Sequence, residues 1–433
     1  MSFRLAYIAA GAAGMYCGSC IHDNTLARAL IRRGIDVALV PTYTPIRTDE
    51  EDVSEDRVFF GGINVYLQHK SALFRHTPWL FDRLLDRPGL LNRLGKLSSS
   101  TSPEDLGGLT VSMLEGKAGP QAKELDKLIH WLREFRPDIV QLTNSIFLGL
   151  ADPIQQALGV PVIVAFQGED IFLDALVEPY RTRARELMVQ HAARAMGFVA
   201  TSDYCASAMS AYVEVDREKV DVVPLGIDLR GYPESRARNA LDEIRIGYLA
   251  RICPEKGLHI LVEAFYQLVQ NSDRDLTLHV AGWLGKKDET YCEGVKRQAS
   301  SWGIEDRIEY THDFSRKEKV AFLRDLDILS VPTPYQEAKG LFALESMACG
   351  VPVVLPNHGS YPEYIAKTEG GILVDTLKPA DVATGILRLI DDPDLRMDLS
   401  AKGAAGVRAY YNDDRMAEDA IKVYERHIGI SSR

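Results

Sequence analysis

Short, almost wholly apolar runs alternate with segments of helical period along nearly the whole chain, and no other feature restricts the fold as strongly. Such runs occupy residues 4–10, 36–41, 138–143, 161–166, 197–202 and 220–224, then 244–250, 276–281, 307–310, 328–332, 352–355 and 372–374. A strand with one face in water alternates apolar and polar residues. These runs do not, so each reads as a strand of a parallel sheet covered by helices on both sides. The intervening stretches supply helices: in residues 257–270, Leu258, Leu261, Val262, Phe265 and Leu268 share one face, and 379–391 and 415–427 also have helical period. The expected fold class is α/β, built on doubly wound parallel sheets.

The alternation breaks at RGYPESRARNALDE, residues 230–243, where charge, Pro and Gly displace periodic apolar residues. A chain of 433 residues exceeds what one core usually organises. We therefore divide it into a first Rossmann-like domain at 1–228, a linker at 229–243 and a second domain at 244–433, with the last helix, 415–427, packing back on the first. Parallel sheets bind ligands beyond the carboxyl ends of their strands, so the expected site is a cleft between two facing sheets. A formal net charge of −11 makes nucleic acid a poor partner. Six cysteines are too few for a disulfide framework and suit the cytoplasm. No stretch approaches the roughly 20 apolar residues of a membrane span. Residues 71–97 interleave Arg and Lys with Leu, Phe and Trp79. They read first as a helical hairpin over the first sheet, with a surface that rests on a membrane or grips a lipid-linked acceptor as the alternative.

Candidate chemistry concentrates in the second half. EAKGLFALESMACGVPVV, residues 337–354, puts Glu337 before a helix and Glu345 about one turn inside it. Free N–H groups at a helix start suit a phosphate or a sugar hydroxyl, and carboxylates hold hydroxyls by charge-assisted hydrogen bonds. Glu345 lies in an otherwise apolar segment, where a charge is expensive unless it meets a polar group. Arg251 and Lys256 flank a Pro loop after the strand at 244–250, placed to neutralise charge growing on a departing diphosphate.

Together these segments resemble the family 4 glycosyltransferases, retaining enzymes of the GT-B fold, in which two Rossmann-like domains face a central cleft. The likeness rests on Glu337 and Glu345, RICPEKG at 251–257, VVPLGID at 222–228, PNHGSYPEYI at 356–365 and GGILVD at 370–375. The resemblance implies a sugar moved from a nucleoside-diphosphate sugar to a sugar or lipid-linked acceptor, without metal or cofactor. It gives Arg251 and Lys256 the donor phosphates, Glu345 the ribose hydroxyls and Glu337 the donor sugar. The amides of Lys339, Gly340 and Leu341 would meet the sugar or its phosphate, with Gly18 and Ser19 near the phosphates. In the first half Gln167 stands where the family has a histidine; it can bind a sugar hydroxyl but cannot carry a proton. A nucleotide-sugar epimerase, a sugar phosphorylase and a non-catalytic sugar-nucleotide-binding protein are the alternatives.

Three weaker signals point elsewhere. Cys17 and Cys20 have CxxC spacing with His22 close by, but a second ligand pair is missing, so free thiols are expected. Asp325 and Asp327 form a DxD pair at a helix end, read as solvated carboxylates rather than a metal site. The first glycine turn reads GAAGMYCG rather than GxGxxG, and no acidic residue ends the second strand, which excludes a dinucleotide fingerprint.

Overall fold

The computed structural model describes residues 2–11, 18–61, 103–233, 243–312, 315–375 and 378–429. The stretch 71–97, Cys17 and most of the first glycine turn lie outside the described residues. The chain forms two compact units, Met1–Gly226 with Asp413–Arg433, and Ile227–Asn412.

The first unit carries β1 (Arg4–Ala10), β2 (Asp36–Thr42), β3 (Ile139–Leu142), β4 (Val162–Phe166), β5 (Gly197–Ala200) and β6 (Val220–Val222). They pair in the order β2-β1-β3-β4-β5-β6, every pairing parallel. Leu5 of β1 stands beside Val37 on one side and Ile139 on the other. All of β3 and β4 is buried, which explains the wholly apolar sequence of β4 and of β3 apart from Gln141, whose Oε1 accepts from the Tyr424 hydroxyl at 2.7 Å. The helix Asp413–Ile428 belongs to this unit: Met416, Ala417, Ala420, Val423 and Tyr424, one helical face, share a core with Leu5, Tyr7, Leu26 and Leu30.

The second unit carries β7 (Glu243–Leu249), β8 (Asp275–Ala281), β9 (Ile308–Thr311), β10 (Ile328–Ser330), β11 (Val353–Pro356) and β12 (Gly371–Val374), in the order β12-β11-β10-β7-β8-β9. These pairings are also parallel. The chain winds outward from β7 through β8 to β9, then returns to β7's other side and winds away through β10 to β12. That reversal opens a crevice beyond the carboxyl ends of β7 and β10. The two loops meet there. Gly257 (φ 70°) ends the β7 loop, and a Cβ on it would stand 1.9 Å from the carbonyl oxygen of Pro332 in the β10 loop. A side chain at 257 would force the loops apart.

Candidate active site

Beyond β7 the chain makes a single 3-10 turn, Pro254–Lys256, before the helix Leu258–Asn271. Beyond β10 it runs through Tyr335 and Glu337 to the helix Leu341–Ala348. Because these strands are neighbours, Lys256 and Glu337 meet although they are 81 residues apart. The Lys256 ammonium forms an ion pair with Glu337 Oε2 and donates to the Tyr335 hydroxyl. Tyr335 in turn donates to the same Oε2 at 2.8 Å. Among the described residues, the other oxygen, Oε1, accepts one long bond, of 3.3 Å from the Lys339 amide. Lys256 also lies over the rings of Tyr335 and Phe342, 4.9 and 5.7 Å from their centroids.

Glu337 is 7% exposed. Burial alone would raise its carboxyl, but the Lys256 charge and the hydrogen bonds from Lys256, Tyr335 and the Lys339 amide outweigh it and hold the group at about 2. Glu337 is thus an anion at any working pH, with its outer oxygen lightly engaged. Burial, then the Glu337 charge, drive the Tyr335 hydroxyl far above its usual range, while Arg251 pulls the other way. Arg251 is exposed on the β7 loop, and its charge reaches this cluster.

The loop carrying Glu337 is pinned from behind. Ser360 N donates to Glu337 O and Ser360 Oγ to Ala338 O, both at 2.8 Å, and the Tyr364 hydroxyl donates to Lys339 O. Gly359 (φ 62°) passes so close that a Cβ would stand 2.5 Å from the Glu337 carbonyl oxygen. Gly340 (φ 60°) then opens the helix Leu341–Ala348, whose start has no side-chain cap among the described residues.

Glu345 lies one turn into that helix and is 8% exposed. Its Oε1 accepts from the Lys319 ammonium at 2.5 Å and from the Tyr232 hydroxyl at 3.3 Å. Lys319 belongs to the helix Arg316–Arg324. The charge that looked unsupported in an apolar sequence therefore has a buried counter-ion.

The remaining expected site residues lie in the first unit. Gly18 and Ser19 open the helix Gly18–Arg32 that follows β1. Gln167 follows β4, and its amide nitrogen donates to Asp23 Oδ1 (2.8 Å), Thr143 O (2.8 Å) and Thr143 Oγ1 (3.0 Å). Asp23 is fully buried and also accepts from Tyr7 (2.6 Å) and Thr143 Oγ1 (2.5 Å). The Gln167 nitrogen is thus engaged within the unit, stabilising a buried carboxylate.

Of the weaker signals, the Cys20 thiol is buried and donates to Ala10 O at 3.3 Å. The reading of Asp325 and Asp327 as solvated needs correction. Asp325 pairs with Arg245 at the surface, but Asp327 is fully buried and accepts the Arg245 amide at 2.9 Å, fastening the start of β7 to β10. Among the described residues, no three His, Cys, Asp or Glu side chains are grouped to hold a metal ion. No described helix is long and apolar enough to cross a membrane.

The sequence did not single out Tyr335, Lys319, Tyr232, Ser360 or Tyr364, although Tyr335 stands two residues before Glu337 and Ser360 and Tyr364 lie within PNHGSYPEYI.

Two family models match the chain: Glycosyltransferase Family 4 over residues 112–230 and Glycosyl transferases group 1 over residues 233–405. Sucrose-phosphate synthase from Thermosynechococcus elongatus has a similar structure, with a TM-score of 0.71 at 17% identity over 99% of this chain and 100% of that one. The fold is therefore GT-B, the two-domain Rossmann-like architecture of glycosyltransferases. A D-inositol 3-phosphate glycosyltransferase from Pseudarthrobacter chlorophenolicus is 27% identical over 437 residues, 93% of this chain and 98% of its own. A protein of the same name from Salinispora tropica is 30% identical over 357 residues, 76% of this chain and 70% of its own. The chain belongs to the family 4 glycosyltransferases.

Proposed function

We propose that this glycosyltransferase takes its sugar from a nucleoside-diphosphate sugar and transfers it to an acceptor hydroxyl with retention at the anomeric carbon, without a metal ion. The observation that carries this reading is the cluster Lys256–Tyr335–Glu337, set beside an uncapped helix start at the crevice of the second sheet. A lysine ammonium has three donors. Glu337 and Tyr335 take two of them, so one remains for a phosphate oxygen. Arg251 adds a second cation that cannot be deprotonated. Charge developing on the leaving diphosphate then meets Arg251, Lys256 and the first amides of the helix Leu341–Ala348.

In this reading Glu337 is a holder, not a nucleophile: pinned through Oε2, it accepts sugar hydroxyls at Oε1 and orients the ring. The acceptor hydroxyl attacks from the face the diphosphate leaves, and the departing phosphate oxygen takes its proton. Gly18 and Ser19 add donors to the phosphates. Gln167, unable to carry a proton, positions rather than catalyses. Five described cysteines are free thiols, which suits a reaction in the cytoplasm. The name shared by the relatives makes a phosphorylated cyclitol the first acceptor to try, ahead of sugar and lipid-linked acceptors. Peripheral membrane contact through 71–97 would favour the last of these.

The test is a transfer assay over a panel of nucleotide sugars and acceptors in EDTA, with the product's anomeric configuration read by NMR. We expect a retained linkage that survives EDTA and is lost in Lys256→Ala. An inverted product, a requirement for divalent metal, or an altered nucleotide sugar with no acceptor attached would overturn the proposal.

A further inference from the structure

The carboxylate of Glu345 is held in the same way as that of Glu337, by residues from elsewhere in the second unit. On Glu337, a lysine ammonium and a tyrosine hydroxyl converge on Oε2, and among the described residues Oε1 receives one long bond. On Glu345, Lys319 and Tyr232 converge on Oε1, and among the described residues nothing hydrogen-bonds Oε2. The side chains of Lys319 and Glu345 are each 10% exposed, so their attraction is little screened and the carboxylate keeps a small open surface. Tyr232 is itself covered by the Arg316 guanidinium, 5.3 Å from its ring centroid. A carboxylate fixed through one oxygen presents the other in a defined direction.

We propose that Lys319 and Tyr232 are positioning residues for donor binding: they hold Glu345 through Oε1 and keep it aimed, so that Oε2 grips a hydroxyl of the donor's ribose. This rests on the reading of Glu345 as a donor-binding residue and adds what makes that carboxylate usable. A glutamate in an apolar helix would otherwise be free to turn away from the site. Lys319 also cancels the Glu345 charge, so that the carboxylate does not repel the incoming diphosphate.

The test is equilibrium binding of a nucleoside diphosphate and its 2′-deoxy and 3′-deoxy counterparts to the full-length protein and its Lys319→Met, Lys319→Arg and Tyr232→Phe variants. The unaltered protein should prefer the ribonucleotide to at least one deoxy analogue by about 10- to 100-fold, the usual reach of a hydrogen bond to a charged group. Lys319→Met should lose most of that preference while binding the deoxy analogue almost as before. Lys319→Arg should restore it, and Tyr232→Phe should lose part of it. Tyr232→Phe keeps the question open to measurement if Lys319→Met does not fold. A variant set that binds every nucleotide with undiminished ribose preference overturns this inference. Failure of the unaltered protein to bind any nucleoside diphosphate overturns the donor reading beneath it instead.

Discussion

Replacing Lys256 by Met removes the counter-ion of Glu337 while keeping most of the side chain's volume, and the consequences can be worked from the pair's surroundings. The two side chains are 12% and 9% exposed, so water offers the stranded carboxylate little relief. Removing one partner of such a pair typically costs about 3–5 kcal/mol. The depressed carboxyl agrees: holding Glu337 at about 2 rather than 4.5 corresponds to about 3 kcal/mol in favour of the ionised form. A carboxyl with a depressed native value stabilises the fold above about pH 4.5 and loses that contribution as pH falls toward 2. In Lys256→Met the sign reverses. Burial, the largest influence on Glu337, is then unopposed by the ammonium, so the native state takes up a proton at higher pH. We expect Lys256→Met to lose about 3 kcal/mol or more at pH 8 and clearly less at pH 5, and Lys256→Met/Glu337→Gln to regain much of the loss. Calorimetric unfolding of the unaltered protein and the two variants at both pH values measures this. A cost below about 1 kcal/mol at pH 8, equal costs at the two pH values, or a double variant no better than the single one would refute the reasoning.

Three further outcomes follow from the same structure. Gly257→Ala meets a φ of 70° and the Pro332 carbonyl at 1.9 Å, and should cost at least about 2 kcal/mol and weaken nucleotide binding. Gly303→Ala, with φ 64° and nothing within 4 Å, should cost only about 1 kcal/mol and spare binding; urea unfolding and nucleotide titration separate the two. Gln167→Leu removes a donor from the fully buried Asp23 and should lose about 1–3 kcal/mol, with Gln167→His losing less, again by urea unfolding. A nucleoside diphosphate at 100 times its dissociation constant should stabilise the protein by about 2.7 kcal/mol, read by calorimetry. Chelator should leave that gain intact, and Lys256→Met should abolish it.

The sheets were legible because their strands are buried on both faces and their sequences say so. β7 was expected at 244–250 and runs Glu243–Leu249; β4 was expected at 161–166 and runs Val162–Phe166. The ends are less well written, since a strand stops where its neighbour does: the expected 328–332 is Ile328–Ser330. Lys256 and Glu337 could be paired from sequence because each follows a strand at a sheet reversal. Lys319 could not. RKEKVAFLR reads as a helix with its lysines in water, and only Glu345, 26 residues on, makes the buried position favourable. Tyr232 was hidden differently: its stretch reads as linker by composition, yet the residue is 7% exposed and bonded to Glu345. Asp327 shows the converse, a charged residue assigned to solvent by type and buried by its backbone partner on β7.

The account stands on two lysine- and tyrosine-held carboxylates meeting one donor molecule, and a crystal structure of the protein soaked with a non-hydrolysable nucleotide sugar tests it most directly. We predict a sugar hydroxyl on Glu337 Oε1, a ribose hydroxyl on Glu345 Oε2, and diphosphate oxygens against Lys256 and the amides that open the helix Leu341–Ala348. Density for the nucleotide elsewhere on the second unit, or with Glu337 and Glu345 untouched, would contradict it.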